Sequence, residues 1–489
     1  MSDTIAKLID EIGPGHMAST AYDTAWAARL GEVDRGLSIQ ALGWLSENQL
    51  PDGSWGTAVP FYYHDRVICT LAAMIALTYQ GRRGHDKVQI DNGKLALERI
   101  LGKATAGLPS DPNGATIGFE MIAPTLVQEA EKLGIIKDQS KRILGHLSRQ
   151  RAMKLSYLKD NKISRHVTMA FSAEMAGTDG KHMLDIEELQ ESNGSIGLSP
   201  SATAYFATYI KRGDELALKY LHSVTKTDGG LPNAAPFDVF EIAWTLWNLS
   251  FIPDINQLPK LKPHLEFLSE AWQPQAGLGF AAGYSVKDGD GTGVAFDTLL
   301  RYGIEKDLDS VLMYEEKEHF RCFKLEANPS ISANIHLLGA LRQAGLNGTT
   351  PSIRKIINFL RKTRGPEVPF WVDKWHFSPY YTTSHAIITC AGLENELVDK
   401  SVEWILKTQH KNGSWGIPTA EETAYALQAL WVWNEKVARV PRAVFTSGAQ
   451  WLKEHLDEAH PPLWIGKCLY SPRLVIRSAI VGALALVNL

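Results

Sequence analysis

Gln49-Leu50-Pro51-Asp52-Gly53-Ser54-Trp55-Gly56 returns near the other end of the chain as Gln409-His410-Lys411-Asn412-Gly413-Ser414-Trp415-Gly416. Each copy comes after a helical pattern that carries a tryptophan, GWLSEN before the first and EWILKT before the second. Weaker copies begin at Gln190, Thr227 and Gln275. The chemistry within a copy is that of a joint between helices. Asp-Gly or Asn-Gly turns the chain, the serine caps the next helix, and glutamine and tryptophan tie neighbouring units. Repeated joints imply stacked supersecondary units. Their period is too irregular for tetratricopeptide or HEAT arrays. Irregular helical hairpins that close on themselves give an (α/α) barrel.

The segments between the joints agree. LSIQALGWLSENQL, RVICTLAAMIALTY, APTLVQEAEKLGI, SVEWILKTQ and EETAYALQALWVW all place apolar residues at three- and four-residue spacing. No run alternates convincingly with period two, so the fold class expected is all-α. With 489 residues the chain has room for two or three domains. A net charge of -4 argues against a nucleic-acid partner. The four cysteines are scattered without a CxxC pair, which argues against a disulfide framework or zinc site and fits a cytoplasmic protein. The start, MSDTIAKLIDEIG, has no apolar signal core. Ala479 to Val487 is too short to span a bilayer and reads as a buried C-terminal helix, so no transmembrane segment is expected. The 14 tryptophans, 15 tyrosines and 16 phenylalanines require either a large core or an aromatic-lined cavity.

One polar stretch stands out, Lys287-Asp288-Gly289-Asp290-Gly291-Thr292, before an apolar helical pattern. Taken alone it reads in two ways. D-G-D-G is ordinary turn chemistry, or half of a calcium loop. If both aspartates are buried, repulsion and desolvation keep one protonated at neutral pH, and it becomes a proton donor.

Five motifs in order resemble class II terpene cyclases, the protonation-initiated kind. They are Ser19 to Trp26 (SAYDTAW-like), Ile117 to Glu120 with Pro124 (IGFE...P), Ser199 to Ala204 (SPSSTA-like), Gly229 to Asn233 (GGVPN-like), and Asp288 to Thr292 where the family carries DxDD(T). The resemblance covers nearly the whole chain. Compact bacterial members that make halimadienyl (tuberculosinyl) diphosphate share further stretches, here Asp65 to Ile75, Asp373 to His385 and Ala420 to Tyr425. The resemblance implies two (α/α) barrels in a βγ arrangement. Residues 1–30 and 266–489 would form β, and 31–265 an inserted γ. No DDxxD ionisation motif is present, so the product is expected to keep its diphosphate and to pass to a separate diphosphate-removing terpene synthase.

The resemblance also implies roles. Asp290 would protonate the terminal alkene of geranylgeranyl diphosphate, with Asp288 as its support. Gly291 departs from the family's fourth position, and Thr292, His336 or Asn334 would complete the acid's surroundings. His336 is also readable as a satisfied core histidine. Trp371, Trp375, Tyr380, Tyr381, Tyr425 and Trp464 are candidates for stabilising a carbocation through their ring faces, although core packing explains each one singly. Lys162 is expected at the diphosphate, with Arg165 and Lys374 as weaker candidates, and Glu120 at a magnesium ion (Mg2+). The family's acidic run before it is reduced here to Ser110-Asp111-Pro112-Asn113. Many plant relatives place a histidine where this chain has Phe171, paired with the asparagine that is Asn233 here, to activate a terminating water. Its loss implies a longer-lived cation and a rearranged product: kolavenyl diphosphate, with halimadienyl or copalyl diphosphate as alternatives.

Competing readings are a prenyltransferase β-type subunit, which needs zinc and a partner subunit, a hopene-type triterpene cyclase, and a helical-repeat binding scaffold. A homodimer is left open.

Overall fold

The computed structural model describes residues 2–15, 17–81, 83–103, 114–137, 143–145, 147–158, 162–324, 326 and 328–487. The helices that decide the architecture are, in chain order, α1 (Ser2–Asp10), α2 (Ala21–Ala28), α3 (Tyr63–Gln80), α4 (Phe119–Lys132), α5 (Pro200–Tyr205), α6 (Asp238–Leu249), α7 (Gly289–Arg301), α8 (Ile331–Gln343), α9 (Pro379–Cys390), α10 (Ala420–Lys436) and α11 (Arg473–Val487).

Two rings result. In the first, α2 packs on α3, α3 on α4, α4 on the 3-10 helix Thr168–Ala176, that helix on α5, and α5 back on α2. In the second, α6 to α11 pack each on the next, and α11 closes on α6. Other helices lie outside these rings. The sequence explains the division. Inner α6 buries Val239 and every residue from Glu241 to Leu249, whereas outer Asn395–Lys407 buries one stripe, Leu397, Val398, Ser401, Val402 and Ile405. Two short ribbons complete the fold, Ser19–Thr20 with Leu231–Pro232 and Trp464–Ile465 with Leu469–Tyr470, both antiparallel. Among the described residues no helix is long and apolar enough to cross a membrane.

Each ring encloses its own apolar core, and the cores move the expected boundaries. Helix α2, expected within the N-terminal piece 1–30 of the second barrel, contributes Ala21, Tyr22, Ala25 and Trp26 to the first core. Helix α6, expected inside 31–265, contributes Val239, Ile242, Trp244 and Trp247 to the second. The changeover falls between Leu231 and Val239 because the second ring cannot close without α6. Helix α1 packs on α11, so the chain starts on the second barrel before building the first.

The repeats turn out to be one hydrogen-bonding device. Gln49, Gln190 and Gln409 each donate to the carbonyl of the turn glycine four residues on, Gly53, Gly194 and Gly413. Those glycines sit at φ of 87°, 90° and 96°, a region that other residues enter only with strain. The backbone N–H after the turn then donates to a threonine of the next inner helix: Trp55 to Thr70, Ile196 to Thr203, Leu278 to Thr292, Trp371 to Thr383 and Trp415 to Thr423, all at 2.9–3.1 Å. The indoles of Trp55, Trp371 and Trp415 donate to Leu45, Leu360 and Ile405 at the ends of outer helices.

This device bears on two expectations. Thr292 holds a repeat joint together, its hydroxyl meeting both the N–H and the carbonyl of Leu278. Trp371 occupies the tryptophan position of a joint that the sequence does not announce, and it is absent from the cavity wall described below.

Candidate active site

A cavity of about 840 Å³ runs between the two barrels, and Asp288, Asp290 and Gly291 lie on its wall. Asp288 precedes α7 and caps it, its Oδ1 accepting the Gly291 N–H at 2.6 Å. Burial pushes its carboxyl up from 3.8 to about 7, with the Asp290 charge adding to the effect and the Gly291 bond opposing it. Asp290, one step into the helix, projects to the cavity and shares a 2.5 Å hydrogen bond between its Oδ1 and His336 Nδ1. The other His336 nitrogen, Nε2, lies 2.8 Å from His385 Nδ1. Asp290, His336 and His385 therefore form a chain across three consecutive inner helices, α7, α8 and α9. Asn334 stands elsewhere: its amide accepts from Phe320 N–H and donates to the carbonyls of Phe320 and Ser330, which anchors a loop to α8.

The cavity is walled by aromatic rings, though not mainly those expected. Trp464 and Trp375 line it, joined by Phe237, Phe240, Trp244, Phe280, Tyr284, Phe323 and Tyr470. Phe240 and Trp244, one helical turn apart, stack at 4.1 Å between centroids. Tyr380, Tyr381 and Tyr425 are not on this wall. Tyr380 stacks on the outer-helix Trp404 at 4.5 Å. Tyr381 accepts a hydrogen bond from Trp244 Nε1, and Tyr425 donates one to Glu421.

At the barrel junction sits a buried ion pair. Lys467, in the turn between Trp464–Ile465 and Leu469–Tyr470, is fully buried and donates to Glu174 Oε1, Ser199 Oγ and Ser201 Oγ, each at 2.7 Å. Glu174 also accepts from Tyr22. Asp23 accepts from Thr20, Ser201 N–H and Asn233 Nδ2. The three motifs around Asp23, Ser201 and Asn233 thus converge on one network that binds the second barrel to the first. Asn233 does line the cavity, yet both ends of its amide are engaged, Nδ2 by Asp23 and Oδ1 by Lys467 N–H. Phe171 lines the cavity too, with the Lys467 ammonium 4.5 Å from its ring centroid.

At the cavity's polar end Glu120, in the first turn of α4, is paired with Lys154, and Lys374 is paired with Glu326. All four line the cavity. Lys162 is exposed and off this wall, and Arg165 pairs with Glu188 outside it. Lys154, which was not singled out from the sequence, is the lysine on the wall beside Glu120. The Ser110 to Asn113 run lies outside the described residues. Among the described residues no group of three metal-ligating side chains includes Glu120, whose carboxylate is already held by an ammonium. Mg2+ is commonly held by one or two carboxylates together with substrate phosphates, and Glu120 and Glu326 are the glutamates on this wall.

The chain is 43% identical to a "Type B diterpene cyclase" of Mycobacterium tuberculosis, over 99% of both chains. It belongs to the class II diterpene cyclases. Residues 323–432 match the squalene-hopene cyclase C-terminal domain family. A (-)-kolavenyl diphosphate synthase of Tripterygium wilfordii is 30% identical over 76% of this chain, which spans 45% of that relative. Among solved structures, ent-copalyl diphosphate synthase from Streptomyces platensis superposes with a TM-score of 0.79 at 28% identity, covering 100% of this chain and 99% of that one.

Gly291 is where this cyclase departs from the family's DxDD. A Cβ there would stand 3.2 Å and 3.3 Å from the two Asp288 carboxyl oxygens, so the glycine leaves that carboxyl room beside the backbone N–H it accepts from. Several site residues were not singled out from sequence: Phe240, Trp244, Tyr470, Lys154 and Lys467. Phe240 and Trp244 carried a signal, aromatics spaced i, i+4 near the start of a largely apolar helix. Lys467 carried none, since its acidic partner Glu174 is 293 positions away.

Proposed function

We propose that this cyclase protonates the terminal alkene of geranylgeranyl diphosphate from Asp290 and forms a rearranged bicyclic diterpenyl diphosphate, kolavenyl diphosphate being the expected product. The observation that carries the reading is Asp290 itself, a carboxyl held by His336 on the wall of a cavity rich in aromatic rings. The volume, about 840 Å³, suits a molecule the size of a diterpenyl diphosphate.

The Asp290 O–H bond breaks as a C–H bond forms at the alkene terminus, leaving a tertiary cation that the remaining double bonds capture in two ring closures. His336, donating to Oδ1, stabilises the carboxylate left behind. The faces of Trp244, Trp464 and Trp375 stabilise the moving positive charge and offer no lone pair to trap it. The wall excludes water, so hydride and methyl shifts precede loss of a proton. The proton lost balances the one delivered. Nothing ionises the C–O bond to diphosphate, so a separate diphosphate-removing enzyme would act next. Lys154 and Lys374, both on the cavity wall, would meet the diphosphate.

Phe171 supports a rearranged product. It stands where a terminating histidine would activate water, and Asn233, that histidine's expected partner, is bound instead to Asp23 and Lys467. The second reading is halimadienyl diphosphate, an earlier stop on the same cascade, favoured by the stretches shared with the bacterial halimadienyl-forming members. Incubation of purified protein with geranylgeranyl diphosphate, dephosphorylation and identification of the diterpenol distinguish the outcomes. A clerodane alcohol supports the reading, a halimane moves the stopping point, and an unrearranged labdane overturns the Phe171 argument.

A further inference from the structure

His385 plays no part in the chemistry above, yet its placement is specific. It lies on α9, next to α8, which carries His336, and it is off the cavity wall. Its ring is enclosed by Tyr381, Trp247 and Tyr425, with centroids at 4.4, 4.7 and 5.5 Å. Within that enclosure His385 Nδ1 meets His336 Nε2 at 2.8 Å, while His385 Nε2 is buried without a partner.

These contacts constrain where the hydrogens sit. A buried imidazole among aromatic rings is held neutral, and burial, together with the neighbouring His336, depresses its basicity well below that of a free histidine. A neutral ring carries one hydrogen. On Nε2 it would strand an N–H among ring carbons, and buried N–H donors go unpaired more rarely than acceptors do. On Nδ1 it makes the 2.8 Å bond. His336 Nε2 then accepts, and a neutral His336 must carry its own hydrogen on Nδ1, against Asp290 Oδ1. With Oδ1 already receiving a donor, the acidic proton of Asp290 is confined to Oδ2, which has no protein partner among the described residues.

We propose that His385 is a positioning residue for the acid: by donating to His336 Nε2 it fixes the His336 hydrogen on Nδ1, and so directs the Asp290 proton to the oxygen free to face the alkene. The inference rests on the assignment of Asp290 as the proton donor. His385 acts two hydrogen bonds away from the substrate, so it sets the rate of proton delivery and leaves substrate binding alone.

Three measurements test this together. Histidine-selective 15N NMR of the substrate-free wild-type protein is expected to show His336 and His385 both neutral with hydrogen on Nδ1. Hydrogen on His385 Nε2, or a charged His336, overturns the proposal without need of any variant. His385→Phe keeps the packing and removes the donor. Its kcat is expected to fall about ten- to hundredfold, the effect of losing one buried hydrogen bond, with KM unchanged. His385→Asn places an amide N–H near the position of Nδ1 and is expected to recover most of that loss. A Phe variant with wild-type kcat, or an Asn variant no better than Phe at equal thermal stability, contradicts the role. If the wild-type protein does not cyclise geranylgeranyl diphosphate, the functional reading fails, while the NMR result still decides the tautomers.

Discussion

Asp288→Asn separates the support from the acid, and the structure sets its size. The folded protein raises the Asp288 carboxyl from 3.8 to about 7, chiefly by burial. Folding therefore takes up a proton wherever the unfolded carboxyl is ionised and the folded one is not. The stabilisation linked to that proton is complete below about pH 4, and it is lost as pH rises through about 7. Each unit of separation corresponds to about 1.4 kcal/mol, so between about pH 5 and pH 8 the wild type loses on the order of 3 kcal/mol through this group alone. Asparagine cannot ionise, and its side-chain oxygen still accepts the Gly291 N–H, so the cap survives. Denaturant unfolding of both proteins at the two pH values should show the variant gaining on the wild type by about that amount at the higher pH. A stability difference independent of pH, or one that shrinks as pH rises, refutes the placement of a protonated carboxyl at this position.

Other outcomes depend on particular contacts. Lys467→Met leaves Glu174 buried without its cation and should cost about 3–5 kcal/mol in unfolding free energy, whereas an exposed pair such as Lys407–Glu403 should cost well under about 1 kcal/mol. Phe171→His restores the residue expected to hold a terminating water and should raise the fraction of unrearranged labdane alcohol in the product mixture. Trp464→Leu removes a cation-stabilising face and should lower kcat by about tenfold or more and release earlier-stage products, while Trp371→Leu, off the cavity wall, should lower melting temperature without changing the product ratio.

How much of the molecule is legible in its sequence depends on the range of each interaction. The joints at Trp55 and Trp415 are legible because the turn chemistry is local: glutamine, Asn or Asp, glycine and serine sit within a few residues and bond to one another. The joint at Trp371 is hidden because FWVDKW has no turn glycine, although its backbone and indole bonds match the others. Helix α6 falls in the wrong barrel on sequence boundaries because nothing in DVFEIAWTLWNL says which ring it completes; that is settled by α7 and α11 packing on either side. The same blindness mixes the tryptophans. Trp371 and Trp464 are both buried, and only tertiary placement puts one in a joint and the other on the cavity wall. The aspartate pair is legible in DGDG by resemblance, but the second histidine behind it is not, since His385 reads as one more polar position after Thr382, Thr383 and Ser384.

The proposed chemistry requires that Asp290 deliver the proton. The direct measurement is turnover of geranylgeranyl diphosphate by Asp290→Asn beside wild type, with folding checked by thermal melting. The expected result is a natively folded variant whose turnover falls by at least about a thousandfold, with no bicyclic diphosphate formed. A folded Asp290→Asn protein that still cyclises the substrate at a rate near wild type would remove Asp290 as the acid.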